Sequence, residues 1–269
     1  MKKRLLILLG LMIFVFPVFS QKQLIVKTEN YPLGCDTVNC YLPENYSSFK
    51  KYPAVILLHG YDGSFRQWGN ICNLQKLSNE FSMILICPDG FKESWYLDSP
   101  IRPSLRYASF FREDLLPELK KNLPLDSTAL FITGLSMGGH GALYLFCLNH
   151  KEFKAAGSIS GVLDLKASSV SFSIAKVLGV KNKTNTNWEK YSVINMTDSL
   201  KNAGKPLIVN CGSQDFLIGV NRKFAQKCEQ EKIKIVFTES PGKHNRDYWR
   251  ALLPEQLRYF RQFVRKDAD

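Results

Sequence analysis

Short apolar, β-prone runs alternate with segments of helical periodicity along most of this chain. The helical segments are residues 111–122, 137–149, 220–230 and 248–265, and the apolar runs are residues 54–58, 83–87, 129–133, 155–159, 207–210 and 233–238. Strands that are apolar throughout are typical of a parallel sheet covered on both faces. The alternation therefore predicts an α/β fold, a mostly parallel central sheet with helices on both faces. Residues 161–205 are more polar and irregular, and we interpret them as an insertion over the carboxyl edge of that sheet.

The composition is that of a folded chain and does not indicate a nucleic-acid partner. Apolar residues make up 45% of the 269 residues, which is enough hydrophobic surface to offset chain entropy. The formal charge is +12, but the basic residues are scattered, as in Lys50-Lys51 and Lys120-Lys121. Because no basic helix face or aromatic-basic motif is present, we interpret the excess as a solvated surface. The sequence does not indicate an oligomeric state.

The first twenty residues have the pattern of a cleaved signal peptide. Three basic residues at positions 2–4 precede an apolar run over residues 5–16, and small residues lead up to Ser20 and Gln21. We therefore predict a signal peptide at 1–20, cleavage near Ser20/Gln21, and an exported periplasmic or secreted protein. Residues 21–269 are predicted to form a single catalytic domain. The alternative is an uncleaved anchor, although the uncharged stretch is marginal for spanning a bilayer.

Export would allow disulfides, but the cysteine pattern does not favour them. The number of cysteines is seven, and Cys35 and Cys40 lie in a segment that reads as extended. Five residues of strand separate two Cα atoms by roughly 16 Å, well beyond disulfide reach. A turn near Gly34 or Asp36 would be needed to pair them. Cys87 and Cys211 each end an apolar run, so we expect buried thiols there.

A nucleophile motif lies between a predicted strand and a predicted helix. Residues 134–138 read Gly-Leu-Ser-Met-Gly, a G-x-S-x-G sequence centred on Ser136. In this context the serine occupies a tight strand-to-helix turn that keeps its hydroxyl reachable, and the helix N-terminus lies beside a developing oxyanion. We predict Ser136 as the nucleophile. The alternative is a packing turn with an idle serine.

A serine hydroxyl needs a base, and a base of this kind needs an orienting acid. His244 is the predicted base, because it follows the last strand. His140 lies one turn along the nucleophile's helix, His150 ends that helix, and His59 is expected to hold the loop after the first core strand. The order serine, acid, histidine leaves several carboxylates. Asp215 is preferred because it follows a core strand, and Asp164 is the second candidate.

The oxyanion hole of such a site needs two backbone N–H groups. One is predicted to be that of Met137, directly after the nucleophile. The other is expected from the loop after the first core strand, where Tyr61 is preferred and Asp62 is the next choice.

Five ordered segments together resemble the esterase D-like family of α/β-hydrolases. They are residues 57–60, 134–143, 157–161, 211–215 and 242–249. This family includes S-formylglutathione hydrolases, tributyrin-type esterases, feruloyl and acetyl xylan esterases, and the antigen 85 mycolyltransferases. The resemblance extends from Tyr31 to Phe263. It implies the α/β-hydrolase fold, the triad Ser136, Asp215 and His244, an oxyanion hole from Tyr61 and Met137, and no metal or organic cofactor. The sequence departs from the family at Asn245, where relatives often carry Asp, and at the pair Cys35 and Cys40.

The predicted function is an exported serine carboxylesterase that acts through an acyl-enzyme. Four aromatic residues, Trp68, Trp95, Tyr96 and Trp249, are candidates for lining a cleft for a sugar or an aromatic acyl group. The expected substrates are small-molecule or oligosaccharide esters of short-chain acyl, acetyl-sugar or feruloyl-sugar type. Alternatives are an acyltransferase with the same triad and a sugar acceptor, an S-formylglutathione hydrolase, which export disfavours, and a non-catalytic binding protein.

Overall fold

The computed structural model describes residues 21–29, 34–167 and 173–265, and the predicted signal peptide lies outside these ranges. The described residues form one mixed sheet of eight strands in the order β1-β2-β4-β3-β5-β6-β7-β8. The strands are β1 Gln21–Lys27, β2 Cys35–Tyr41, β3 Tyr52–Leu58, β4 Ile84–Pro88, β5 Leu125–Gly134, β6 Ala155–Ile159, β7 Leu207–Gly212 and β8 Ile235–Ser240. Strands β3 to β8 run parallel, while β1 pairs antiparallel with β2, and β2 pairs antiparallel with β4.

Helices cover both faces of this sheet. They are α1 Gln67–Ile71, α2 Leu74–Phe81, α3 Tyr107–Phe110, α4 Leu116–Asn122, α5 Met137–Asn149, α6 Ala175–Leu178, α7 Asn187–Lys190, α8 Thr197–Ala203, α9 Ile218–Gln230 and α10 Arg246–Arg261. A single turn of π-helix, Phe111–Leu115, joins α3 to α4. Short 3₁₀ turns follow α5 at His150–Glu152 and α7 at Val193–Asn195.

Strand β3 shows why the apolar runs are continuous. Its side chains alternate between two separate cores: Ala54, Ile56 and Leu58 pack on the face covered by α4, α5 and α9, and Val55 and Leu57 on the face covered by α1, α2 and α10. Because both faces of the strand are buried, both sets of alternating side chains are apolar. The predicted α/β-hydrolase fold, with its mostly parallel sheet and helices on both faces, is confirmed.

The structure corrects several predicted element bounds. The helix predicted over 111–122 is two consecutive segments, the π-helical turn Phe111–Leu115 and helix α4, and Pro117 lies in the first turn of α4. Strand β5 starts four residues earlier than predicted, at Leu125, and the last helix spans Arg246–Arg261 instead of 248–265. The sequence pattern predicts neither strand β1 nor helices α1 and α2.

The cysteines behave as buried side chains rather than as cross-links. All seven lie in the described ranges and are free, and Cys35 alone is exposed. Cys35 and Cys40 lie on the same strand, β2, which keeps their side chains apart as expected. Among the described residues, no helix is long and apolar enough to cross a membrane.

Candidate active site

Ser136 lies in a tight turn between strand β5 and helix α5. Its backbone has φ +54° and ψ −117°, a conformation that L residues rarely adopt and that persists only where the surroundings enforce it. The flanking glycines permit the turn. A Cβ at Gly134 would lie 2.3 Å from the carbonyl oxygen of Gly138, and one at Gly138 would lie 2.4 Å from that of Leu58. The N–H of Ser136 donates to the carbonyl of Ile159, which ties the turn to strand β6.

Ser136, His244 and Asp215 form a continuous hydrogen-bonded chain. The Oγ of Ser136 lies 2.9 Å from Nε2 of His244. Nδ1 of His244 lies 2.9 Å from Oδ2 and 3.1 Å from Oδ1 of Asp215. The three residues come from the ends of β5, β7 and β8, which meet at the carboxyl edge of the sheet. Parallel order thus brings together side chains that are far apart in the sequence.

The surroundings keep the Asp215 carboxylate ionised. Its side chain is fully buried, whereas that of His244 is 14% exposed. Burial by itself raises the pKa of Asp215, but the hydrogen bond and charge of His244, together with the Leu217 N–H, outweigh burial and hold that pKa below its ordinary value. The Leu217 N–H donates to Oδ1 over 2.8 Å. A charged, fixed carboxylate can orient the imidazole and stabilise its protonated form.

Two aromatic rings flank His244. Phe216 lies with its ring centroid 4.5 Å from the imidazole, and Trp249 packs edge-on at 5.1 Å. Phe216 is 54% exposed, a large apolar side chain held at the mouth of the site. Phe216 is not among the predicted site residues, although its position directly after the predicted acid is a usable signal.

The loop between β3 and α1 lies against the nucleophile. A Cβ on Gly60 would lie 3.6 Å from Cβ of Ser136, so this glycine allows close approach of the loop. The N–H of Gly60 donates to Oε1 of Gln67. Tyr61 follows Gly60, and its hydroxyl contacts the Oγ of Ser173 at 2.9 Å. Met137 is the first residue of α5, and the first N–H groups of a helix have no intrahelical acceptor.

His59 holds this loop in place through both of its ring nitrogens. Its Nδ1 contacts the carbonyl of Gly60 at 2.7 Å, and its Nε2 accepts from the N–H of Gly90 at 2.6 Å. Burial lowers the pKa of His59 despite those contacts, which is consistent with a neutral ring that donates at Nδ1 and accepts at Nε2.

The other candidate residues lie away from the chain of hydrogen bonds. His140 is buried, its Nε2 contacts the Tyr191 carbonyl, and burial lowers its pKa to about 4. His150 begins the 3₁₀ turn after α5. The Asp164 carboxylate accepts from the N–H groups of Lys166 and Ala167. Among the candidate bases and acids, His244 is the one that contacts Ser136, and Asp215 contacts His244 in turn.

Three of the four aromatic residues predicted to line a cleft are buried under it. Trp68, Trp95 and Tyr96 are each at most 1% exposed. Trp68 donates its indole N–H to the Leu58 carbonyl, and the Tyr96 hydroxyl donates to the His59 carbonyl. These rings support the loops around Ser136 and offer no free face to a sugar, so we do not retain them as substrate contacts. Trp249 is half-buried beside His244 and remains a candidate.

The described ranges hold no group of three or more His, Cys, Asp or Glu side chains placed to bind a metal ion.

Residues 33–260 match the protein family described as "Putative esterase". The chain belongs to this esterase family. The geometry above therefore belongs to a carboxylic ester hydrolase.

Known relatives of this esterase include enzymes of several ester classes. This chain is 26% identical to the acetyl esterase of Caldicellulosiruptor saccharolyticus over 209 residues, which cover 72% of this chain and 78% of the relative. It is 21% identical to the S-formylglutathione hydrolase of Mus musculus over 249 residues, covering 83% and 87%.

Solved structures share the fold of this esterase. A ferulic acid esterase superimposes with a TM-score of 0.77 at 22% identity, covering 91% of this chain and all of the other. The serine hydrolase FphF of Staphylococcus aureus gives 0.78 at 21% identity, covering 90% and 98%. At these identities the likeness extends to the fold alone.

Proposed function

We propose that this esterase is an exported serine carboxylesterase that hydrolyses its substrate through an acyl-enzyme on Ser136. The observation that carries the proposal is the 2.9 Å contact between Ser136 Oγ and His244 Nε2, backed by the Asp215 carboxylate at 2.9 Å. A base in hydrogen-bond reach of the hydroxyl, itself oriented by a buried acid, is what activates a serine nucleophile. Residues 21–269 are proposed to form one catalytic domain.

Acylation begins when Ser136 Oγ attacks the ester carbonyl carbon and its proton passes to His244 Nε2. The carbonyl π pair moves onto oxygen, and the N–H groups of Met137 and Tyr61 are proposed to stabilise that oxyanion. As the carbonyl re-forms, the bond to the alcohol oxygen breaks, and the proton on Nε2 goes to the departing alkoxide. The Asp215 carboxylate stabilises the imidazolium between those two transfers.

Deacylation repeats the sequence with water. His244 Nε2 takes a proton from water, the hydroxide oxygen attacks the acyl carbon, and the Ser136 oxygen leaves with the proton returned from Nε2. The products are a free acid and the regenerated serine. Besides the substrate and one water molecule, each step uses the groups of this chain named above.

The proposed substrates are small or oligosaccharide esters with short-chain acyl, acetyl or feruloyl groups. The similarity to an acetyl esterase and the likeness in fold to a ferulic acid esterase support these classes. The relatives named S-formylglutathione hydrolase point to a glutathione thioester instead. The proposed export removes the enzyme from the reducing thiol pool of the cytosol, which favours the oxygen esters.

The experiment combines active-site labelling with a substrate panel on the mature protein. A fluorophosphonate probe should add one phosphonyl group to a peptide containing Ser136, and the Ser136→Ala and His244→Ala variants should remain unlabelled. The panel should include 4-nitrophenyl esters of increasing chain length, acetylated xylo-oligosaccharides, methyl ferulate and S-formylglutathione, with product analysis in the presence of a free sugar acceptor. Retained turnover in Ser136→Ala would overturn the assigned nucleophile, and acyl-sugar in excess of free acid would overturn hydrolysis.

A further inference from the structure

A cavity of about 460 Å³ lies beside Trp249, the ring that packs edge-on against His244. The loop after β3 contributes Asp62 and Gly63 to its wall, and α1 contributes Gln67. The start of α10 contributes Arg246 and Trp249. Its volume falls in the range of small-molecule sites in proteins. The mechanism proposed above does not use this cavity.

The cavity lies on the histidine side of the proposed reaction. Trp249, which lines it, packs edge-on against the His244 ring with a centroid separation of 5.1 Å. Gly63, also in its wall, lies close enough to His59 that an added Cβ would be 2.8 Å from Nδ1. In ester cleavage the base returns its proton to the departing alcohol, so the alcohol oxygen must lie at His244 Nε2. A cavity that the Trp249 ring connects to His244 is therefore in position for the distal part of the alcohol portion.

The charged side chains of the cavity are two cations and one anion. Lys92 and Arg246 line it together with Asp62, and all three are exposed. The guanidinium of Arg246 donates to the carbonyl of Asn70, a neutral acceptor that does not offset its charge. Neither cation forms an ion pair with any carboxylate in the described ranges. Even with Asp62 counted against one of them, the wall retains a positive charge, and a carboxylate is the complementary ligand group.

We propose that this cavity is the alcohol subsite of the esterase and that it selects esters whose alcohol portion carries a carboxylate. The inference rests on the proposed function, because it needs His244 to protonate the leaving group. Lys92 and Arg246 are the specificity-determining residues, and the edge of Trp249 connects the subsite to the base.

The test compares two aryl acetates that differ at one carboxyl group, which is ionised in one and methylated in the other. These are 3-acetoxybenzoate, which is anionic, and its methyl ester, which is neutral; both transfer the same acetyl group. The measured quantity is the ratio of kcat/KM for the anionic ester to kcat/KM for the neutral one. Comparing this ratio between variants cancels the intrinsic difference in leaving-group reactivity.

The variants are Lys92→Gln, Arg246→Gln and the double substitution, with Lys243→Gln as the matched control. Lys243 is an exposed lysine in the loop of His244 that does not line the cavity. Each single substitution should lower the ratio about fivefold, near the upper limit for an exposed ion pair, and the double substitution should lower it further. The control should leave the ratio unchanged. In the unmodified enzyme, added salt should lower the ratio, because salt screens exposed charges.

The outcomes separate this inference from the function beneath it. If both esters are cleaved but neither the substitutions nor salt moves the ratio, the subsite is wrong and the esterase mechanism stands. If neither ester is cleaved and Ser136 is not labelled by the fluorophosphonate, the proposed function fails and the inference falls with it. The salt series uses the unmodified protein, so it decides the question even if a variant does not fold.

Discussion

Replacing Asp215 with asparagine tests the proposed mechanism at its buried end. The carboxylate accepts two hydrogen bonds, from the Leu217 N–H at 2.8 Å and from His244 Nδ1 at 2.9 Å. An asparagine has only one oxygen to share between those donors. If the oxygen stays with the Leu217 N–H, the NH₂ group faces Nδ1. The imidazole must then accept at Nδ1 and carry its proton on Nε2, where it cannot take the proton of Ser136.

The structure allows the size of this effect to be estimated. The asparagine amide can instead rotate so that its oxygen accepts from His244 Nδ1, which restores the tautomer with a free Nε2. Its NH₂ group then faces the Leu217 N–H, and an unsatisfied buried donor costs about 1–3 kcal/mol. That cost lowers the population of the active tautomer roughly 5–150-fold. The loss of the charge removes the stabilisation of the imidazolium, about 4 kcal/mol for a pair 4 Å apart at an effective dielectric constant of 20. These two penalties overlap, because both act on one imidazole. We expect kcat for Asp215→Asn to fall on the order of 10³–10⁴-fold; the same change in a serine protease triad lowers kcat about 10⁴-fold.

The assay is steady-state hydrolysis of 4-nitrophenyl acetate by the mature protein at neutral pH, with thermal unfolding as a check on the fold. Asp164→Asn is the matched control, because that carboxylate caps a local turn and does not contact His244. The control should retain its activity. A kcat for Asp215→Asn within tenfold of the unsubstituted enzyme, at unchanged thermal stability, would refute the reasoning.

Three further predictions rest on other parts of the structure. Gly138→Ala should lower kcat at least 100-fold and lower Tm, because its Cβ would lie 2.4 Å from the Leu58 carbonyl oxygen. The control Gly219→Ala should change neither kcat nor Tm, because no atom lies within 4 Å of the added Cβ. Burial, and then the charge of Asp89, raises the pKa of Asp36 from 3.8 to about 9, so the folded state retains a proton that the unfolded chain releases above its ordinary pKa. This carboxyl therefore lowers the free energy of unfolding increasingly from about pH 4 towards pH 9. Asp36→Asn should raise the free energy of unfolding, measured with urea, by up to about 4 kcal/mol at pH 7 but not at pH 4. Equal effects at both pH values would contradict the assignment. A thiol reagent should titrate one cysteine in the native protein and seven after denaturation, since Cys35 alone is exposed, and a native count of three or more would contradict the packing.

The parts of the fold that the sequence predicted are those that one physical constraint dominates. Strands β3, β4, β6 and β7 are buried at every position, so their apolar runs identify them without reference to the rest of the chain. Strand β1 is an edge strand in which only Leu24 and Val26 are buried, and its short polar pattern gives no comparable signal. Helix α2 could have been predicted, because its buried residues Leu74, Leu77, Ser78 and Phe81 follow helical spacing.

The residues of the hydrogen-bonded chain at the carboxyl edge were predictable for a different reason. In a parallel sheet the carboxyl ends of the strands lie along one edge. The G-x-S-x-G motif and the positions of Asp215 and His244 after later strands were therefore enough to bring these three residues together. Which aromatic side chains face the cleft cannot be derived that way, because a loop residue can point outward or into the core.

The loop after β4 shows what decides that orientation. Trp95 and Tyr96 have consecutive φ values of +55° and +62°, which curl the chain. Both rings are buried, and the ring of Tyr96 packs where a Cβ on Gly141 would come within 2.2 Å of it. The glycine of helix α5 and the left-handed turn are therefore two halves of one packing arrangement, which places the Tyr96 hydroxyl on the carbonyl of His59. Phe216 and Trp249 are the two rings that flank His244, and we propose them as the aromatic contacts of a substrate.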